Sequence, residues 1–196
     1  MKTIAITGLL GSGKSKVIEI LALDYPVIDC DKIANELMME GHPGYLKAQA
    51  SFSSFLVDQT FNRKALAAYV FKDKVALKKL EAIIHPLVLE EVFKQIEQNQ
   101  KSMFVFIEVP LLFEVGWQKY FDYSVVVDTD IHSLYQRLRT DRKMKDEEIQ
   151  RILANQLDLD TKKSLADYII DNNGNVDDLN KAVALFIKAL KENRLS

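Results

Sequence analysis

Residues 8–15 read Gly8-Leu9-Leu10-Gly11-Ser12-Gly13-Lys14-Ser15 and follow directly on the apolar run Lys2–Thr7. No other stretch of the chain restricts its fold so strongly. The pattern is a complete Gly-x-x-x-x-Gly-Lys-Ser, the Walker A spacing, lying between an alternating strand signal (Ile4 and Ile6 on one side) and a helix expected from Gly13 to about Leu23. Glycines let the backbone curl so that successive amides point inward and make an anion-binding nest. The helix that starts at the loop adds the positive end of its dipole. Gly11, Ser12, Gly13, Lys14 and Ser15 are therefore expected to hold nucleotide phosphates. Lys14 reaches the β- and γ-phosphates, and Ser15 offers its hydroxyl as the Mg²⁺ ligand.

A loop of this kind needs a parallel sheet behind it, and the rest of the sequence provides the strands. Tyr25–Ile28, Met103–Val109, Tyr123–Val127 and Tyr168–Ile170 read as short apolar strands, two of them uninterrupted enough to be covered on both faces. Helical patterns fall between them at 133–142 and 146–157, and an amphipathic helix closes the chain from about Val176 to Lys191. Strands alternating with helices imply an α/β fold, a parallel-sheet P-loop NTPase core with helices on both faces. The stretch from Lys32 to about Asn99 is helical in pattern, with breaks at Gly41-His42-Pro43-Gly44, near Thr60-Phe61-Asn62 and at His85-Pro86. It is too long for a plain crossover. We expect one domain over 1–196, with a helical substrate-binding insertion at about 32–100 and a lid at about 131–157.

Asp29 and Asp31 follow the second strand signal. In an extended strand residues two apart point the same way, so both carboxylates are expected on one side and Cys30 on the other. Open α/β sheets bind ligands at the carboxyl ends of their strands, where one of these acids could orient an attacking hydroxyl or take its proton. Asp31 also reads as the N-cap of the helix that follows. Glu108 ends the third strand, either orienting Mg²⁺ or standing as a half-exposed acid. Arg137, Arg139, Arg142, Lys143 and Lys145 cluster on and after one helix; this is either a lid that neutralises a moving phosphoryl group or a solvated basic face. His85 before Pro86 reads by spacing alone as a helix stop.

Composition closes off other classes. The 196 residues carry a formal net charge of -2, so no basic excess favours nucleic acid. The single cysteine, Cys30, allows no intrachain disulfide and suits a reducing compartment. No window is long and apolar enough for a membrane span or a signal segment, so a cytoplasmic protein, with no membrane and no nucleic acid among its partners, is expected.

Several segments together resemble the dephospho-coenzyme A kinase family. They are Thr7–Ser15, Val27-Ile28-Asp29-Cys30-Asp31-Lys32-Ile33-Ala34, Phe61-Asn62-Arg63-Lys64-Ala65-Leu66, Ile84-His85-Pro86, Val109-Pro110-Leu111-Leu112-Phe113-Glu114, Arg151-Ile152 through Gln156, and Ala166–Gly174. They span nearly the whole chain in the family's order. The resemblance implies transfer of the γ-phosphoryl of ATP, with Mg²⁺, to the ribose 3′-hydroxyl of dephospho-coenzyme A. It implies Asp31 as the base, Asp29, Arg63 and His85 near the acceptor, and Asn172, Asn173 and Gly174 beside the adenine through backbone contacts. A monomer or weak homo-oligomer is expected.

The chain departs from the family pattern in three places. Asp141-Arg142 stands where the family's lid usually has Arg-Asp, which turns the arginine by about 100° on a helix; Arg139 is then an alternative to Arg142, and Arg137 a further one. Lys162 and Lys163 stand where arginine is common, and Cys30 where alanine is. Two other readings of the loop are a nucleoside or nucleotide monophosphate kinase and a nucleotide-dependent switch. A guanine-reading switch uses Asn-Lys-x-Asp, and the nearest stretch here, Asn180-Lys181-Ala182-Val183, lacks the acid.

Overall fold

The computed structural model describes residues 1–57 and 60–195. In chain order its elements are β1 (Lys2–Thr7), α1 (Lys14–Leu21), β2 (Val27–Asp29), α2 (Cys30–Leu37), α3 (Pro43–Ser51), β3 (Leu56–Val57), β4 (Thr60–Phe61), α4 (Arg63–Val70), α5 (Lys74–Gln98), β5 (Phe104–Glu108), β6 (Tyr123–Asp128), α6 (Ile131–Arg142), α7 (Asp146–Leu153), α8 (Leu159–Leu165), β7 (Tyr168–Asp171) and α9 (Val176–Lys191). They form two compact units, one from Met1–Asp29 with Asn99–Ser196, the other from Cys30–Gln98.

The first unit is built on a five-stranded parallel sheet in the order β2-β5-β1-β6-β7. β1 lies in the middle because its core is apolar on both faces. Ile4 and Ile6 turn to one side, with Phe104, Phe106, Val125 and Val127 from neighbouring strands; Val17 and Leu21 of α1 and Leu179, Val183 and Phe186 of α9 cover them. Each such side chain contributes about 1.5–3 kcal/mol by leaving water. Ala5, Val105, Ile107 and Val126 on the other side are also fully buried, and α8 packs on β6 there. Register places Asp29 of β2 beside Glu108 of β5, and Asp128 of β6 beside Asp171 of β7. Four carboxylates thus mark the carboxyl ends of the strands. A smaller cluster gathers Leu9 and Leu10 with Leu134 and Leu138 of α6 and Ile149 of α7.

The second unit is helical apart from the β3–β4 antiparallel pair. Its core holds Tyr45, Ala48, Phe52, Phe61, Leu66, Val70 and Ala76. The expected helix stop at His85-Pro86 is not there: α5 runs unbroken for 25 residues with Pro86 inside it. Ile84, Val88, Val92 and Ile96, four apart, form one buried stripe. That stripe holds the helix together across the hydrogen bond Pro86 forgoes. Pro86 and Ala82, whose carbonyl the ring releases, are both exposed residues, a setting in which the lost bond costs less than it would in the core.

The second correction concerns Asp29 and Asp31. β2 ends at Asp29 and α2 begins at Cys30, so the strand alternation that would have aligned the two carboxylates does not reach Asp31. Nor is Asp31 an N-cap: it is the second residue of α2, in its first turn. There its carboxylate meets the positive end of the helix dipole. The helix expected to run through residue 157 stops at Leu153, and Asp158 caps a separate α8 by accepting the Thr161 N–H at 2.8 Å.

Candidate active site

The Gly8–Ser15 loop leaves β1 and enters α1. Gly11 and Gly13 have φ of 83° and 88°, a region only glycine enters freely. Space also requires them. A Cβ on Gly11 would stand 2.8 Å from Leu138 Cγ, and one on Gly13 would stand 2.1 Å from Asn172 Nδ2. As N-cap of α1, Gly13 leaves the first amides of the helix facing the loop. Lys14 Nζ donates to the carbonyls of Gly8 (2.9 Å) and Leu9 (3.0 Å). The ammonium therefore rests on the loop's own backbone. Ser15 is exposed in the first turn of α1.

The loop is tied to its surroundings on two sides. On one, the Leu10 N–H donates to Gln156 Oε1 at 3.1 Å. Gln156 belongs to the connector between α7 and α8, whose next residue, Leu157, donates its N–H to Glu114 Oε1 at 2.8 Å. Lys162 Nζ, fully buried, lies 2.7 Å from the same carboxylate oxygen as an ion pair, off the line of a directed hydrogen bond. Lys163 pairs with Asp128 at 3.0 Å, and this bond and charge hold its ammonium pKa above the ordinary lysine value. On the other side, the Ser12 carbonyl accepts from Asn172 Nδ2 (2.7 Å) and Thr129 Oγ1 (2.9 Å). Arg137 donates to Thr129 Oγ1 at 3.3 Å and to the Asn172 carbonyl at 2.9 Å. Arg137 is thus committed behind the loop, not on the open face of α6.

The Asn172-Asn173-Gly174 turn follows β7. Asn173 Oδ1 accepts the Asp130 N–H at 2.6 Å, and its Nδ2 donates to Asp171 at 2.7 Å. Both asparagine side chains are therefore turned toward the protein.

On the basic helix, Arg139 makes a two-pronged ion pair with Asp146 at the start of α7 (2.7 and 2.6 Å) and lies over the Tyr135 ring. The pair raises the arginine pKa and lowers that of Asp146. Arg142 is the exposed last residue of α6, before Lys143 turns the chain with a φ of 52°. In the second unit, Arg63 is exposed at the start of α4, which Asn62 caps by accepting the Ala65 N–H. His85 is half-buried in α5; burial pushes its pKa down, opposed by the charge of Glu81.

Sequence reading gave no role to Thr129, Gln156 or Glu114. Gln156 and Glu114 lie inside motifs quoted above, but their partners are 146 and 43 residues away. A buried threonine just past a strand end was the one local signal for Thr129. Among the described residues no group of three or more acidic, histidine or cysteine side chains could hold a metal. An ion here would have to take its remaining ligands from water and phosphate oxygens, which is how Mg²⁺ is commonly bound in such sites. No described helix is long and apolar enough to cross a membrane.

The family model described as "CoaE: Dephospho-CoA kinase" matches residues 2–178. The chain is 41% identical over 193 residues to the dephospho-CoA kinase of Helicobacter pylori (strain ATCC 700392 / 26695), covering 95% of this chain and 96% of that protein. Its fold matches the crystal structure of TT1252 from Thermus thermophilus with a TM-score of 0.85 at 30% identity, covering 96% and 97% of the two chains. The dephospho-CoA kinase from Campylobacter jejuni matches with a TM-score of 0.72 at 29% identity, covering 98% of each. With the match running from the phosphate loop through the helical unit to the Asn-Asn-Gly turn, the chain belongs to the dephospho-CoA kinase family.

Proposed function

We propose that this protein transfers the γ-phosphoryl group of ATP to the ribose 3′-hydroxyl of dephospho-coenzyme A, giving coenzyme A and ADP, the last step of coenzyme A biosynthesis. The observation that carries the reading is the extent of the family match: residues 2–178 include Asp31, Arg63 and His85 as well as the phosphate loop. A nucleotide switch would need the loop alone.

The amides of residues 11–15 cradle the β- and γ-phosphates, and Lys14 leaves the Gly8 and Leu9 carbonyls for them. Asp31 accepts the proton of the 3′-hydroxyl while the hydroxyl oxygen bonds to the γ-phosphorus. The bond from that phosphorus to the bridging oxygen breaks, and ADP leaves with the electron pair. The Ser15 hydroxyl would hold Mg²⁺, which would supply neutralising charge on the phosphates. Asp29, Arg63 and His85 contact the acceptor, and the turn 172–174 meets the adenine. Arg142 is the lid cation, since Arg139 is already paired with Asp146. The protein works in the cytoplasm as a monomer or weak homo-oligomer.

The test is a coupled ADP-release assay with dephospho-coenzyme A against nucleosides and nucleoside monophosphates. Faster turnover of a monophosphate than of dephospho-coenzyme A would replace this reading with a nucleotide kinase. ATP binding without acceptor-dependent ADP release would point to a switch.

A further inference from the structure

The two donors on the Ser12 carbonyl lie outside the phosphate loop, on segments that follow β6 and β7. Asn172 Nδ2 reaches the carbonyl oxygen at 2.7 Å and Thr129 Oγ1 at 2.9 Å, and the two residues are 7% and 1% exposed. Arg137 stands behind both, donating to Thr129 Oγ1 and to the Asn172 carbonyl. The peptide that joins Ser12 to Gly13 is trans, and a planar trans peptide points its carbonyl and the following N–H, here that of Gly13, in opposite directions. A carbonyl held from behind therefore aims the Gly13 amide into the concave side of the loop.

Backbone hydrogen bonds hold the peptides before and after it, through the Ser12 N–H (to the Leu9 carbonyl, 3.1 Å) and the Gly13 carbonyl (from the Lys16 N–H, 2.9 Å), while the peptide between them can turn about the bonds that flank it. Gly11 and Gly13 lie on either side of Ser12, both at positive φ, and glycine enters the mirror-image regions almost as readily. A flipped peptide would present the negative end of its dipole to an incoming anion. Chained hydrogen bonds polarise one another in a low-dielectric setting. Arg137 accordingly strengthens the Thr129 hydroxyl as a donor, and the Ser12–Gly13 peptide dipole in turn.

We propose that Asn172 and Thr129, backed by Arg137, are positioning residues that lock the Ser12–Gly13 peptide with its amide toward the nucleotide phosphates. Asn172 then acts on the polyphosphate through the loop, while the backbone of its turn meets the base. This rests on the reading of residues 8–15 as the ATP site.

The experiment is calorimetric titration of ATP, GTP, ADP and inorganic tripolyphosphate into the full chain and its variants. Asn172→Ala and Thr129→Val should each weaken all four by roughly 10-fold, the loss of about one good hydrogen bond. The ATP-to-GTP ratio should hold, and Thr129→Ser, which keeps the hydroxyl, should recover most of the affinity. KM for ATP should rise by more than turnover at saturation falls. If Asn172→Ala does not fold, the Thr129→Val and Thr129→Ser pair decides alone. Unchanged tripolyphosphate affinity with an altered ATP-to-GTP ratio would assign Asn172 to the base and overturn the proposal. Wild-type affinities in both Asn172→Ala and Thr129→Val would also overturn it. A wild-type protein that fails to bind ATP would instead remove the kinase reading.

Discussion

The ammonium of Lys162, without exposed surface, lies 2.7 Å from a carboxylate oxygen of Glu114. Glu114 takes the Leu157 N–H on the same oxygen, and the adjacent Gln156 takes the Leu10 N–H of the phosphate loop. One buried charge pair thus anchors the connector between α7 and α8 that touches the loop.

Breaking this pair from one side leaves a buried charge uncompensated, which costs about 3–5 kcal/mol. Lys162→Met should therefore lose that much stability in urea denaturation and lower the melting temperature by roughly 10 °C. The double variant Lys162→Met with Glu114→Gln should regain a large share of it, because no lone charge remains. A single variant as stable as wild type would show that the pair contributes nothing.

Asp31→Asn should keep ATP binding nearly intact and lower turnover by about 10²–10⁴. Steady-state rates beside equilibrium ATP titration separate the two effects, and unchanged turnover would remove Asp31 from the chemistry. Lys14→Ala should abolish transfer, and retained activity there would contradict the phosphate-site reading itself.

Arg142→Ala should reduce turnover by about 10³-fold or more, the usual worth of an arginine on a transferring phosphoryl group. Arg139→Ala should cost far less, because Arg139 is spoken for by Asp146. The Arg139–Asp146 pair is exposed, so salt should screen it. Two equally small losses would place the phosphoryl-facing cation elsewhere in the molecule.

Burial lowers the His85 pKa below its ordinary value of 6.5. The native state then refuses a proton that the unfolded chain accepts, and stability falls as pH drops from about 6.5 toward the native pKa, levelling off below it. Chemical denaturation between pH 7.5 and about pH 5 should show this slope in wild type. His85→Gln should flatten it, and a slope of the same size in that variant would assign the effect to another group.

The sheet was legible because its signals are local. β1 spans Lys2–Thr7 and α9 spans Val176–Lys191, the ranges expected from alternation and from amphipathic spacing. The Walker A residues were legible for the same reason. What misled was local too. His85-Pro86 has every mark of a helix end, but Ile84, Val88, Val92 and Ile96 bury a stripe strong enough to carry the helix through. Asp29 and Asp31 look aligned only if the strand continues, and helix α2 begins between them. Gln156, Thr129 and the Lys162–Glu114 pair could not be read at all, because each is defined by a partner distant in sequence. The rows of hydrogen bonds around Ser12 and Leu10 exist only once β6, β7 and α8 have brought their ends to the loop.

The central place of β1 has a consequence for synthesis on the ribosome. Its two neighbours, β5 and β6, begin at residues 104 and 123. At about 5–20 residues per second, the first strand waits several seconds to tens of seconds for either partner. Cys30–Gln98, a compact unit by itself, is fully synthesised before then. The nascent chain must therefore keep Ile4 and Ile6 from straying while the helical unit forms, and this unpaired apolar strand is where a stalled or truncated polypeptide would aggregate first.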